Sequence, residues 1–376
     1  MKRLSCLIAI SLLLLPAIAQ AQSVKAQVLQ VLDSSQETVP DTGTLQAVQD
    51  ISVKILEGTD KGRVVTIHND FVQLKEGDVF YLDDAQGQFS VSEAYRLPQL
   101  GWLLVLFIIL VIIFGGKQGI RGLLSLGGSL VFVMFVLIPG ILHGYSPVWL
   151  SVGVASLIIV VGSYVTHGFN RTTSAAVVGM IVTVGIVGLF AHFAIGYTQL
   201  SGFNTEEATF LNLGTQGTLD FAGILLGGIL IGLLGVMYDA AIGQAISVEE
   251  LHHIAPHINR RTIYVRALRI GREHIGALVN TLAIAYVGAS LPLLLLFYSS
   301  SGESASVIIN SEIFATEIVR SLIGSIGLVL AVPITTAIAI FVIMRKKGEH
   351  TTDSASPEEL HNERHALEHA SHGHHH

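Results

Sequence analysis

Charged side chains are scarce in this chain, 13% of 376 residues against 51% hydrophobic. Soluble domains carry about 25% charged residues, so the deficit excludes a wholly water-soluble globular protein. Cysteine is nearly absent. Its one copy, Cys6, lies in the first segment and argues against a disulfide scaffold, an iron–sulfur cluster or a thiol catalyst. Proline is sparse at 9 residues while glycine reaches 38, a balance that packed membrane helices tolerate well. Excess positive charge is lacking too. Lys+Arg total 21 against 28 Asp+Glu, for a formal charge of −7, which argues against a nucleic-acid partner. Enzyme signatures are missing as well: there is no His-Glu-x-x-His and no Walker loop. Tyr238-Asp239 has no Gly-x-Gly-Asp partner for an aspartyl protease pair, and Ser129 follows two glycines without a visible base. The chain is expected not to be an enzyme. What is present is a mean hydropathy of +0.62, which makes the lipid bilayer its first partner.

Residues 1–21 read as a secretory signal, with Lys2 and Arg3 before an apolar run and small residues at Ala17, Ala19 and Ala21. Residues 22–96 have soluble composition. Alternation in Val24–Leu32 and at Val53-Lys-Ile-Leu56 predicts half-buried strands, and Gly58, Gly62 and Gly77 punctuate turns. Four to six short strands in so few residues predict a small all-β, OB-like barrel. It lacks a basic-aromatic face, so a structural or partner-contacting role is expected of it.

Residues 97–344 predict an α-helical polytopic bundle of about seven spans, since each crossing needs about 20 apolar residues. The candidates are 97–114, 123–142, 148–165, 174–197, 221–239, 274–298 and 319–344. Lys117, Arg121, Arg171, the arginines of 260–272, and Arg345 to Lys347 all fall on one side. The opposite connections, 143–147, 198–220 and 299–318, have no Lys or Arg. Only Arg320, at the outer edge of the last span, runs against this pattern. The positive-inside rule puts the β-domain outside and the C-terminus in the cytoplasm, in agreement with the signal segment. Three spans starting inside are then followed by three starting outside, the inverted arrangement common in transporters. Gly122-Leu-Leu-Ser-Leu-Gly-Gly128 echoes Gly223-Ile-Leu-Leu-Gly-Gly228, although such strings also arise by chance. In the loop 201–220, Thr205 is placed to cap a short interfacial helix that starts at Glu206 and Glu207.

Ionisable groups in apolar spans are costly and mark candidate sites. Asp239 closes the fifth span, Arg272, Glu273 and His274 open the sixth, and Asn280 lies about 12 Å deeper at 1.5 Å per residue. Asp239, Arg272 and Asn280 are expected to converge in the inner half of the bundle, with Glu273 and Thr281 beside them. A structural ion pair with an interhelical amide bond and a substrate path explain them equally well. Gly232, Gly235 and Gly276 permit close helix approach. His192, alone in the fourth span, reads as a packing residue.

Gly271-Arg-Glu-His-Ile-Gly-Ala-Leu-Val-Asn-Thr-Leu-Ala-Ile-Ala-Tyr-Val-Gly288 resembles the signature of the YibE/F-like bacterial membrane proteins. Arg272, Asn280, Thr281, Leu282, Ala285, Tyr286 and Gly288 match that pattern, while Glu273 stands where aspartate is usual. Gly232 to Asp239, Gly168-Phe-Asn170, Gly202 with Glu206-Glu207, and Val53 to Gly58 before Lys61-Gly62 fit as well. The resemblance spans about residues 25 to 345. It implies a multi-pass protein of the bacterial cytoplasmic (inner) membrane with an outside β-domain, and it supplies no function.

The 345–376 tail is rich in histidine. His361, His365 and His369 recur every four residues with His372 just beyond, a spacing that can hold a metal. No cofactor is required; weak zinc, nickel or copper binding by the tail is expected. Glu249, Glu250, His252, His253 and His257 form a second candidate group. Two functions compete: a secondary transporter or channel for a small solute or ion, and a non-transporting anchor whose β-domain binds an envelope partner. A homo-oligomer or a related membrane subunit is the partner either would take.

Overall fold

The computed structural model describes residues 23–38, 43–85, 88–299, 302 and 304–344. The signal segment and the histidine tail lie outside the described residues. The chain divides into two compact units, up to Leu123 and from Leu124 onward.

The first unit opens with five antiparallel strands: β1 (Ser23–Thr38), β2 (Leu45–Ile55), β3 (Val64–Asn69), β4 (Val79–Ala85) and β5 (Gln88–Ala94). The sheet order is β3-β2-β1-β4-β5, and the two outer strands touch each other. Side chains alternate across a strand, so Ala26 and Val28 face inward together with Ile51, Val53 and Ile55. Ala26 lies between Ile55 on β2 and Phe80 on β4. Phe80 and Leu82 are fully buried at the centre. The loop from Asp70 to Leu74 is held by two buried amides. Gln49 donates to the Leu74 carbonyl at 3.1 Å and accepts from its N–H at 2.8 Å, while Asn69 donates to the Val72 carbonyl at 2.7 Å.

On the exposed face of β3, His68 and Asp50 hydrogen-bond at 2.8 Å. That bond, reinforced by the carboxylate charge, raises the imidazole above its ordinary 6.5. A raised folded-state value means the contribution is fully present below pH 6.5 and is lost as pH rises through the raised value. The β-domain is therefore expected to lose a little stability between about pH 6 and pH 8. Chemical unfolding at the two pH values should show the change, and His68→Gln should flatten it.

The first helix, α1 (Leu97–Phe132), is broken at Gly116, where φ is 52° and ψ is −135°. A Cβ added to Gly119 would clash with the Val111 carbonyl. These residues are eight apart, about 12 Å in a straight helix, so the chain folds back sharply here. A π-helical turn, Val133–Leu137, and α2 (Ile138–Leu142) continue the run. The 115–122 connection expected as a loop is helical on both sides of that glycine. Its Lys117 and Arg121 are good helix formers, and only Gly116 adopts a non-helical conformation.

The second unit holds α3 (Pro147–His167), α4 (Arg171–Tyr197), α5 (Glu206–Gly214), α6 (Phe221–Ile254), α7 (Arg260–Ala289), α8 (Leu291–Ser299), α9 (Ala305–Asn310) and α10 (Glu312–Ile343). Among the described residues, five helical runs are long and apolar enough to cross a membrane. A sixth follows if α7 and α8, bent by 64°, are one span. The seven expected spans differ because 97–114 and 123–142 fall in a single run, Leu97–Leu142. The connection expected across 240–273 is also largely helical. α6 runs on to Ile254 and α7 starts at Arg260, because polar residues outside an apolar span can still be good helix formers.

Thr205 caps α5 as expected, accepting from the Ala208 N–H at 3.2 Å. Backbone and Thr205 hydrogen bonds hold the Glu207 carboxyl below its ordinary range. α4, α6 and α10 form the core, each packed on the other two. Buried positions recur in pairs every four residues, from Ala175 to Ala191 on α4 and from Ile323 to Ala339 on α10.

Candidate functional site

One close helix contact is the crossing of α4 and α10. A Cβ added to Gly179 would lie 2.5 Å from Thr335 Oγ1 and 3.0 Å from the Thr335 Cα; one added to Gly327 would lie 2.5 Å from Leu233 Cδ2 of α6 and 3.0 Å from Val187 Cγ2 of α4. Gly179 thus faces Thr335 while Gly327 faces Val187, so the two helices run antiparallel. The shift that carries Gly179 onto Gly327 also carries Val187 onto Thr335. Exchanging the helices reproduces the contact. Their flanks correspond as well, α3 packing on α4 and α7 packing on α10.

Polar groups gather at two levels around this core. At one level, Asp239 is exposed on α6, next to Tyr238. The His167 and Tyr238 rings stand 5.8 Å apart, and Tyr238 Oη donates to the Gly162 carbonyl at 3.4 Å. On the side of α6 that meets α7, buried Gln244 donates to the Ala267 carbonyl at 2.8 Å. A Cβ on Gly271 would sit 2.7 Å from Gln244 Oε1, so this glycine of the signature run makes room for the amide.

At the other level lies the bend between α7 and α8. There Ser290 Oγ donates to Glu317 Oε2 at 3.4 Å, and Arg320 Nη1 donates to Glu317 Oε1 at 2.7 Å. The Glu317 and Arg320 side chains are 25% and 35% exposed. That burial makes their pairing more than a surface contact, and it accounts for the one arginine that runs against the charge pattern. One helical turn before Ser290, the Tyr286 hydroxyl is placed where Gly324 of α10 and Gly232 of α6 leave room. Pro333 lies within α10, which runs on unbroken past it and lacks one backbone donor there.

The residues proposed from sequence are only partly gathered. Among the described residues, Asp239 forms no ion pair with Arg272, and Asn280 makes no hydrogen bond to either. Asp239 is exposed on α6, beside the Tyr238 that meets α3, whereas Arg272, Glu273, Asn280 and Thr281 lie on exposed positions of α7. Thr281 bonds back to its own helix at the Ala277 carbonyl, 3.0 Å away. His192 is also exposed, at a cleft of about 670 Å³ shared with Asp220 and Tyr197. It does not pack in the core as expected. No three His, Cys, Asp or Glu side chains among the described residues come together to hold a metal, so Glu249 to His257 form no second group. Four side chains went unread in the sequence: Gln244, His167, Ser290 and Glu317. Gln244 was visible as a lone amide in an apolar run, and Glu317 as the partner one turn before the anomalous Arg320.

No curated protein and no solved structure matches the chain. The sequence profile of the YibE/F-like protein family matches residues 103–345, beginning after the strands of the β-domain. That span takes in both polar levels, the α4–α10 crossing and the signature run on α7, and the chain belongs to the YibE/F-like family.

Proposed function

We propose that the chain is a secondary transporter or channel for a small solute or ion. The observation that carries this reading is the α4–α10 crossing. Two antiparallel core helices exchange their contacts as the halves of an inverted repeat do, and such halves rock about a shared axis in transporters. The bend after α7 supplies an interrupted helix beside polar groups, the usual setting of a transport site, and Pro333 leaves one backbone carbonyl of the neighbouring α10 without its helical donor. On this reading the path follows α6, α7 and α10. Its inner mouth lies near Asp239, with Glu317 and Arg320 at its outer end, while Arg272, Glu273, Asn280 and Thr281 lie on exposed positions of α7 away from that mouth. No catalytic group and no resident cofactor take part.

The sharp fold-back at Gly116 supports two passages within Leu97–Leu142, so seven crossings in all. The strand order, with β1 paired to β2 and β4 and the outer strands touching, supports an OB-like barrel. Charge asymmetry supports a cytoplasmic-membrane protein made with a signal segment, its barrel outside and its histidine tail inside. His361, His365, His369 and His372 would give that tail weak affinity for zinc, nickel or copper, with the metal held by neutral imidazoles.

Protein reconstituted in vesicles should carry at least one solute from a panel of metals, anions and organic ions. Asp239→Asn and Glu317→Gln should each lower that flux at least tenfold without loss of folded protein. Folded, correctly oriented protein that moves nothing in the panel would favour the anchor reading. Labelling of intact cells at Ser35→Cys but not at Ser354→Cys is the expected topological result, and the reverse pattern would overturn it.

A further inference from the structure

The packed face of α7 is formed by Ile263, Ala267, Gly271 and Leu282. The opposite face carries Arg269, Glu273, Gly276, Asn280, Ala283 and Val287. Their spacing of four and three residues in alternation is a heptad seam. All but Ala283, which is half-buried, are exposed. Asn280 lies about 12 Å past Arg272 along the helix; if α7 and α8 cross the membrane as one bent span, that is a depth where water does not compensate a bare amide. It has no hydrogen-bond partner among the described residues.

We infer that a second copy of this chain covers this face, the two α7 helices pairing in parallel about a two-fold axis with Asn280 against Asn280. All copies of a membrane protein insert in the same direction, so a parallel seam is the geometry open to them. An amide both donates and accepts, and an asparagine pair across a two-fold axis satisfies itself. An asparagine at one seam position is also the device that selects a register and a parallel pair. Gly276 and Ala283 flank it in the seam and let the backbones approach. At the cytoplasmic end the two-fold axis sets Arg269 against Arg269 and Glu273 against Glu273, and the four-residue offset lets each Glu273 reach Arg269 of the other copy one seam layer away. Lipid satisfies neither the amide nor these charges. The inference does not depend on whether the protein transports.

The test uses the full chain in a Cys6→Ala background. Val287→Cys should give a disulfide-linked dimer in the membrane under mild oxidation, whereas Val182→Cys, exposed on α4, should not. Asn280→Ala should weaken dimerisation by about five- to thirty-fold, the effect of an interhelical hydrogen bond of about 1–2 kcal/mol. Asn280→Gln should recover part of it. If Asn280→Ala does not fold, the cross-link at Val287→Cys still decides. Monomer by mass in detergent together with no cross-linked dimer at Val287→Cys overturns the inference. So does a cross-link from Val287→Cys to a cysteine placed at Ile109 of the same chain, which would make the chain's own first helix the cover.

Discussion

Phe80→Ala is expected to cost about 4 kcal/mol, the usual range for emptying a fully buried phenylalanine site. Phe80 sits at the centre of the β-domain core with no exposed surface. A domain of this size has only about 5 kcal/mol in hand, so the variant should populate the unfolded β-domain at 37 °C. The membrane bundle has its own core, built on α4, α6 and α10, and should be untouched. Limited proteolysis of protein in vesicles would then cleave within residues 23–94 while the 124–344 region stays resistant. Loss of protection in both regions together would refute the independence of the two units.

Gly179→Val is the second large effect. Its Cβ would come within 3.0 Å of the Thr335 backbone, which cannot rotate away as a flexible side-chain end can. Separating α4 from α10 should cost about 3 kcal/mol, at the upper end for overpacking. Gly185→Val on the same helix meets nothing within 4 Å and serves as the control. Thr335→Gly in the Gly179→Val background should restore part of the loss, because it returns the missing volume from the other side. Equal unfolding midpoints for Gly179→Val and Gly185→Val in a detergent titration would show that the crossing is not close. If the α4–α10 pair also rocks during transport, Gly179→Ala should slow flux more than it lowers stability.

Local physics made much of this architecture legible. Period-two alternation around Val53 and Ile55 marked strands that do form, and Thr205 with Glu206 and Glu207 marked a cap that is made. Hydropathy located the apolar segments, because a span must satisfy its backbone internally wherever it occurs. Helix ends were less legible. Asp239 and His274 looked like borders because hydropathy changes there, yet the hydrogen-bond ladder runs on to Ile254 and begins at Arg260. Polarity ends an apolar stretch without ending a helix.

The candidate site shows the same division. Residue type alone marked Asp239, Arg272, Glu273 and Asn280 as expensive in an apolar segment, since that cost depends on the side chain and its depth. Which of them meet was decided by helix rotation. About 100° per residue turns Tyr238 toward His167, Gln244 toward Ala267, and Asn280 away from the core. No local pattern encodes that rotation; it is set by which glycines let which neighbours approach, Gly271 for Gln244 and Gly179 for Thr335. Composition and periodicity therefore determined the membrane class, the separate β-domain and the costly residues, because each follows from transfer to water or lipid one residue at a time. The pairing of Glu317 with Arg320 and Ser290, the α4–α10 crossing and the bare seam of α7 were decided only in the tertiary structure, because they depend on distances between helices remote in the chain.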